Sequence, residues 1–179
     1  MPNWCENDLV VKGKSKALDE FAKFVEGPNG AFDFEKIIPM PEVFKGVTTG
    51  FNHIHEGKLY ENWREDGTGV EEEELARWRE EYGHDNWRNW SQANWGTKWN
   101  ASEAGIEVFL LAFERVKYTF STAWSPPLPI IEALAERFPK LKFSLKYYEC
   151  GCAFKGYIKY KKGEVVEEGS GSYSGPRGG

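Results

Sequence analysis

Cysteine is scarce in this 179-residue chain, with three copies at Cys5, Cys150 and Cys152. An odd count rules out a fully paired disulfide framework. Cys150-Gly151-Cys152 has one intervening residue, whereas zinc knuckles use two or more, and an iron–sulfur cluster needs four thiolates. Buried structural thiols in a reducing compartment are the expectation. Histidine is as rare, at His53, His55 and His84. Long apolar runs are missing, and none approaches the roughly 18 residues of a membrane span. The opening Met1-Pro2-Asn3-Trp4-Cys5-Glu6 has no basic stretch ahead of an apolar one, so no secretory leader is expected. The sequence also has no Gly-Lys-Ser/Thr phosphate loop, nucleophile elbow or zinc-protease helix. These absences point to a cytoplasmic protein without membrane contact, without a cofactor, and not an enzyme.

Aromatic residues are abundant: eight Trp, eight Tyr and twelve Phe. Large rings bury much area per residue, so they close a core despite a modest apolar fraction. Charge is uneven. Residues 28–105 hold fifteen Asp/Glu against eight Lys/Arg, residues 106–179 hold eleven Lys/Arg against eight Asp/Glu, and the whole chain is at −5. An overall acidic balance argues against a general nucleic-acid binder, which needs a positive field.

Residues 4–12 alternate as a strand, with Cys5, Leu9 and Val11 on one side and Glu6, Asp8 and Lys12 on the other. Ser15 is placed to cap a helix carrying the stripe Leu18, Phe21, Ala22 and Val25, and Gly27-Pro28 stops it. Residues 32–38 suggest a short strand ended by Pro39-Met40-Pro41, and 42–70 read as loop. Glu71-Glu72-Glu73-Glu74 suits the first turn of a helix with Leu75, Trp78 and Tyr82 on its apolar face and Gly83 at its end. A second short helix is expected over 85–95. The apolar run 106–113 predicts a central strand buried on both faces, paired as a hairpin with an alternating strand over 116–124. Ser125-Pro126-Pro127 opens a helix with the stripe Ile130, Ile131, Leu134, Ala135 and Phe138. Strands follow over 141–150 and 153–161, with an edge strand over 164–168. The order predicts an α+β, ferredoxin-like βαββαβ antiparallel sheet with two helices on one face, and a long mixed insertion over 28–105 after the first helix. Residues 1–168 form one domain in this reading, and the Gly/Ser-rich 169–179 form a flexible tail.

Trp87, Trp90, Trp95 and Trp99 fall within thirteen residues, interleaved with Asn94, Lys98 and Asn100. Rings beside amides and an amine suit a recognition surface, and equally suit pinning the insertion to the sheet. The strand Lys117-Tyr118-Thr119-Phe120 invites comparison with RNA-recognition sheets, although the full Gly/aromatic pattern is absent. Glu149, if it faces inward, needs a partner such as Lys98 or a backbone N–H. His53-Ile54-His55 with Glu56, and His84-Asp85, are candidates for metal or hydrolytic chemistry, but nothing in their spacing joins them.

The segments Asn94-Trp95-Gly96-Thr97-Lys98-Trp99-Asn100-Ala101 and Thr122-Ala123-Trp124-Ser125-Pro126-Pro127 resemble the Api92-like, or YubB-like, ferredoxin-like-domain proteins. So do Phe138-Pro139, Tyr148-Glu149-Cys150-Gly151 and the N-terminal Met1–Asn7 stretch. These are accessory proteins of phages, prophages and conjugative plasmids. The resemblance implies a ferredoxin-like fold and a host bacterial cytoplasm, and carries no catalytic residues. It adds Trp124 to the candidate binding set. The expected function is a non-enzymatic interaction module binding a host or phage macromolecule, such as a defence component, with a protein partner foremost. A nucleotide or nucleic-acid binder, using the open sheet face or an aromatic cleft, and a small hydrolase using Glu149, Lys98 or the histidines are the alternatives.

Overall fold

A computed structural model describes residues 2–107 and 114–175. The chain forms two compact units, one of Met1–Ile38 with Trp95–Gly179 and one of Pro39–Asn94.

The first unit is built on alternation. Strand β1 (Trp4–Lys12) buries Cys5, Asn7, Leu9 and Val11 and turns the intervening residues the other way. Helix α1 (Ser15–Val25) follows, with its cap position at Lys14 rather than Ser15, and no side chain caps it. The chain then returns to the sheet through a one-turn helix α2 (Phe34–Ile37), where a strand was expected. Asp33 dictates this turn, because its carboxylate accepts the Glu35 N–H at 3.1 Å. Phe32 and Phe34 pack their rings on Phe120, at 4.9 and 6.2 Å. Residues 28–38 and 95–105 therefore belong to the sheet unit, and the separate body is shorter than the expected insertion.

After that body come β4 (Ser102–Glu107), β5 (Arg115–Ala123), α5 (Leu128–Arg137), β6 (Lys142–Glu149), β7 (Phe154–Lys161) and β8 (Glu164–Ser172). The sheet order is β4-β5-β1-β6-β7-β8 and every pairing is antiparallel. Its first four strands give the ferredoxin-like arrangement, with β7 and β8 added beyond β6. Strand β4 lies at the end of that order, so the central position expected for the 106–113 run is corrected; residues 108–113 themselves lie outside the described ones. Strand β8 takes in 169–172, assigned above to a flexible tail. There Gly169 and Gly171 pair with Tyr157 and Lys155, and a backbone ladder on an open edge needs no side chains.

Register puts Leu9 beside Tyr118 and Leu145, and Val11 beside Val116 and Phe143. This inner face receives both helices. Phe21 of α1 meets Tyr118, Phe138 and Phe143 edge-on at 5.5–5.8 Å, while α5 buries Ile130, Ile131, Leu134 and Ala135. Edge-to-face contacts add about 0.5–1.5 kcal/mol each to area burial.

The second unit contains a 3₁₀ turn at Glu42–Phe44, strands β2 (Val47–His55) and β3 (Lys58–Arg64), and helices α3 (Glu72–Tyr82) and α4 (Trp87–Asn94). Residues 47–64 are thus a hairpin where loop was expected. Its turn, Glu56-Gly57, holds both residues at positive φ, 48° and 77°, the geometry that matches strand twist. Phe44 packs edge-on against Trp78 and Tyr82, each at 5.5 Å.

Phe21→Ala is expected to lose about 3–5 kcal/mol of stability, read as a lower urea midpoint. An unchanged midpoint would remove Phe21 as the contact that seats α1.

Candidate functional site

The aromatic and polar residues singled out in the sequence separate into supports and exposed groups. Trp90 is buried in the second unit, where its carbonyl accepts from the Asn94 amide at 2.9 Å; Trp87, on the same helix, is half-buried. Trp95 is buried in the sheet unit and donates its ring N–H to the Ile38 carbonyl at 2.8 Å. Asn100 Nδ2 donates to Asp33 at 2.7 Å, and its Oδ1 accepts from the Phe34 and Ala101 N–H groups. Burial pulls the Asp33 pKa upward, but hydrogen bonds from Asn100 and Asn29 outweigh it and leave the carboxyl below its ordinary value. Trp90 and Asn94 are thus engaged within the second unit, and Trp95 and Asn100 within the sheet unit.

Trp99 and Trp124 remain 38% and 46% exposed. Lys98 Nζ lies 4.6 Å from the Trp99 ring centroid, and Trp4 lies 6.3 Å from Trp99. Trp124 has φ 73°, and its N–H donates to the Asn3 carbonyl at 2.9 Å.

Glu149 does face inward, and its partners are backbone groups rather than Lys98. Its two oxygens accept the Gly151 and Cys152 N–H groups of the β6–β7 turn. Burial raises its pKa, yet those backbone hydrogen bonds prevail and leave it below the usual carboxylate range. Glu149 thus holds a turn. Cys150 and Cys152 are exposed on that turn, correcting the expectation of buried thiols, which holds for Cys5 alone. Burial pushes the Cys5 thiol up to about 12. His53 stacks on Trp63 at 4.7 Å. Among the described residues no three His, Cys, Asp or Glu groups are placed to hold a metal.

Tyr118 and Phe120 point to the helices and are buried, so the RNA-sheet comparison fails for those two rings. The opposite face of the same sheet carries a different set, and it forms a cavity of about 940 Å³. Register lines up Glu6 with Tyr148, Asp8 with Lys146, Tyr148 with Lys155, and Lys146 with Tyr157. Tyr148 stacks on Tyr173 at 5.0 Å with an 18° tilt, and the Tyr173 N–H donates to the Ala153 carbonyl at 2.7 Å. The turn held by Glu149 therefore carries both ends of this stack. Burial raises the Tyr148 pKa, so its phenol remains a donor at neutral pH. The β8 side of the floor is nearly bare. Tyr157 lies across Gly169, where a Cβ would come within 2.8 Å of the ring, whereas a Cβ on Gly171 would meet nothing within 4 Å.

Charge on this outer face is mostly basic along strands β1 and β5–β7. Strand β6 turns out Lys142 and Lys146, and β7 turns out Lys155, Lys159 and Lys161. Strands β1 and β5 add Lys12, Arg115 and Lys117 against Glu6 and Asp8, and β8 adds Glu164 and Glu167. Three of those acids are already engaged: Asp8 by Lys117 at 3.0 Å, Glu167 by Lys159 at 2.6 Å, and Glu6 by the Ser121 hydroxyl at 2.9 Å. The acidity of the chain lies elsewhere. Residues 39–94 hold twelve Asp/Glu against six Lys/Arg, leaving sixteen against seventeen for the rest. Sequence reasoning offered the open sheet face but missed its residues, because the tyrosines come from β6, β7 and the segment after β8, separated in sequence; the alternation Lys146, Tyr148 and Lys155, Tyr157 was the available signal.

A second exposed surface lies on the β2–β3 hairpin, where Phe51, Ile54 and Leu59 are 75%, 69% and 58% exposed. No helix among the described residues is long and apolar enough to cross a membrane.

Residues 94–175 match the family model described as a ferredoxin-like domain in Api92-like protein. Among solved structures, the chain is similar to a protein api92 from Yersinia pseudotuberculosis, with 13% identity and a TM-score of 0.59. The alignment covers 99% of this chain and 100% of that one. At that identity the likeness speaks for the fold alone, which is ferredoxin-like. No curated protein matches the chain.

The lowered pKa values of Glu149 and Asp33 fix the sign of an acid dependence. Their contribution to stability is present above the ordinary values of 4.5 and 3.8 and is lost as pH falls through the folded-state values. Glu149→Gln is expected to cost about 1–3 kcal/mol at pH 7, since a carboxamide cannot accept both N–H groups, and to flatten the fall between pH 7 and pH 3. Urea melts at the two pH values decide it; a variant as stable as the parent at pH 7 would deny Glu149 its role in the turn.

Proposed function

We propose that the chain is a non-enzymatic interaction module whose contact surface is the outer face of the six-stranded sheet. The observation that carries this reading is the concave floor of Tyr148, Tyr157 and Tyr173 set among lysines on a face that neither helix covers. Rings flanked by charged groups at the rim are the composition of recognition surfaces. Glu149, the strongest candidate acid or base in the sheet unit, is engaged by its own turn, which favours binding over catalysis. The resemblance to accessory proteins of phages and plasmids supports a macromolecular partner in the host cytoplasm, of host or phage origin, with a defence component as one candidate.

Lysine acylation inside cells carrying the protein, compared with acylation of the purified chain, tests this without knowing the partner. Lys146 and Lys155 should react more slowly in the cell, while Lys16 and Lys23 on α1 react alike in both. Equal reactivity of all four would refute the outer face as the contact surface.

One observation favours a protein partner at a different place. The apolar Phe51, Ile54 and Leu59 are exposed on a hairpin in an acidic unit, with Ile54 and Leu59 directly paired, and exposed apolar surface marks docking sites. Phe51→Ser with Ile54→Ser should release a protein captured through the hairpin and leave lysine protection on the sheet unchanged. Retention of that protein by the double variant would eliminate the hairpin reading.

A further inference from the structure

We infer that the ligand of the outer sheet face is single-stranded nucleic acid. The inference rests on the contact surface proposed above and assigns its chemistry. Three observations carry it.

The first is the spread of positive charge. Lys155 and Lys161 run along β7 beside Lys142 and Lys146 of β6, with Lys159 between them paired to Glu167 at 2.6 Å. Six residues of strand at about 3.3 Å each make this stripe roughly 20 Å long, which is longer than one phosphate group requires and suited to a chain of them. The overall charge of −5 does not oppose this, because the acid excess belongs to residues 39–94. Local field, not net charge, steers an anion to a surface.

The second is the set of rings. Tyr148, Tyr157 and Tyr173 line one shallow floor with Gly169 and Gly171 beneath. The Tyr148–Tyr173 stack leaves both rings half-buried, and the open space above Gly171 admits a flat group beside them. Stacking on aromatic side chains is open to every base with an exposed face, and duplex bases have none to offer.

The third is the position of the carboxylates. Glu6 and Asp8 line the same cavity but are occupied by Ser121 and Lys117. The Lys117 ammonium offsets the charge of Asp8, the neutral Ser121 hydroxyl leaves that of Glu6 in place, and both carboxylates border the tyrosines, where bases rather than phosphates would sit. An acidic protein segment would meet the lysines equally well but leaves the rings without a matching group. An anionic membrane is flat, whereas the ring-lined floor is recessed.

The test is fluorescence anisotropy of the full chain with a labelled 12-nucleotide single strand, as DNA and as RNA, and with the same sequence as a duplex. The single strand should bind at least tenfold more tightly than the duplex. Tyr157→Ala should weaken binding roughly 5- to 150-fold, the range for loss of one stacked base. Tyr148→Ala should do the same, with Tyr148→Phe keeping the stack and most of the affinity. Lys146→Gln with Lys155→Gln should reduce the slope of log affinity against log salt by about 1.4, at ~0.7 per phosphate contact. Lys23→Gln on α1 should leave binding unchanged. Absence of single-strand binding at 50 mM salt overturns the inference, as does equal affinity for duplex or indifference to both tyrosine substitutions. Equal binding to vesicles containing phosphatidylserine, lost in the lysine double variant alone, also overturns it in favour of generic charge. If the lysines are protected in cells but no oligonucleotide binds, this inference falls and the proposed surface stands; if neither occurs, both fall.

Discussion

Phe21 meets Tyr118, Phe138 and Phe143 at once, and in doing so seats α1 and the end of α5 on the same side of the sheet. Strand geometry then leaves no freedom on the other side. Side chains alternate with a period of two, so each residue that joins Phe21 in the core sends its neighbours outward. Leu145 and Phe143 turn inward, and Lys146, Ser144 and Lys142 must turn outward; Ile158 and Tyr160 turn inward, and Tyr157, Lys159 and Lys161 must turn outward. The basic, tyrosine-bearing face is the geometric complement of the core. A one-residue slip of register would bury lysines and expose phenylalanines, so the same hydrophobic pattern that stabilises the fold also fixes the chemistry of the open face.

Extension of the sheet by β7 and β8 widens that face. The four strands of the ferredoxin-like arrangement supply Glu6, Asp8, Lys146 and Tyr148, while Lys155, Tyr157 and the glycine floor come from the two added strands. Tyr173 then returns to stack on Tyr148. The Glu149 turn ties these pieces together: a buried carboxylate is satisfied by two backbone N–H groups of the turn. A residue that the sequence offered as a catalytic candidate thus shapes the turn beside the site.

Much of this architecture was legible. The stripes of α1 and α5, the alternation of β1 and β5 and the punctuation at Ser125-Pro126-Pro127 are strong periodic signals, and they give the ferredoxin-like order directly. The hairpin over 47–64 was not legible. Its turn places Glu56, rather than Asn or Asp, in the left-handed region, and the flanking strands expose Phe51, Ile54 and Leu59 instead of alternating toward a core. Strand β8 was truncated for a related reason: Gly169 and Gly171 carry no side-chain signal, although their backbones complete the ladder. The tryptophan cluster left recognition and anchoring both open, because sequence proximity says nothing about which way a ring points. Trp90 and Trp95 turned inward as anchors, whereas the tyrosines of the outer face, scattered over twenty-six residue positions from 148 to 173, are assembled only by strand pairing.

Ultraviolet cross-linking in cells that carry the chain, followed by mapping of the modified peptides, addresses the outer face most directly. Adducts on the strands and turn bearing Tyr148, Tyr157 and Tyr173 are the expected result. Adducts confined to helices α1 and α5, or to residues 39–94, would contradict the assignment of that face as the surface through which the protein acts.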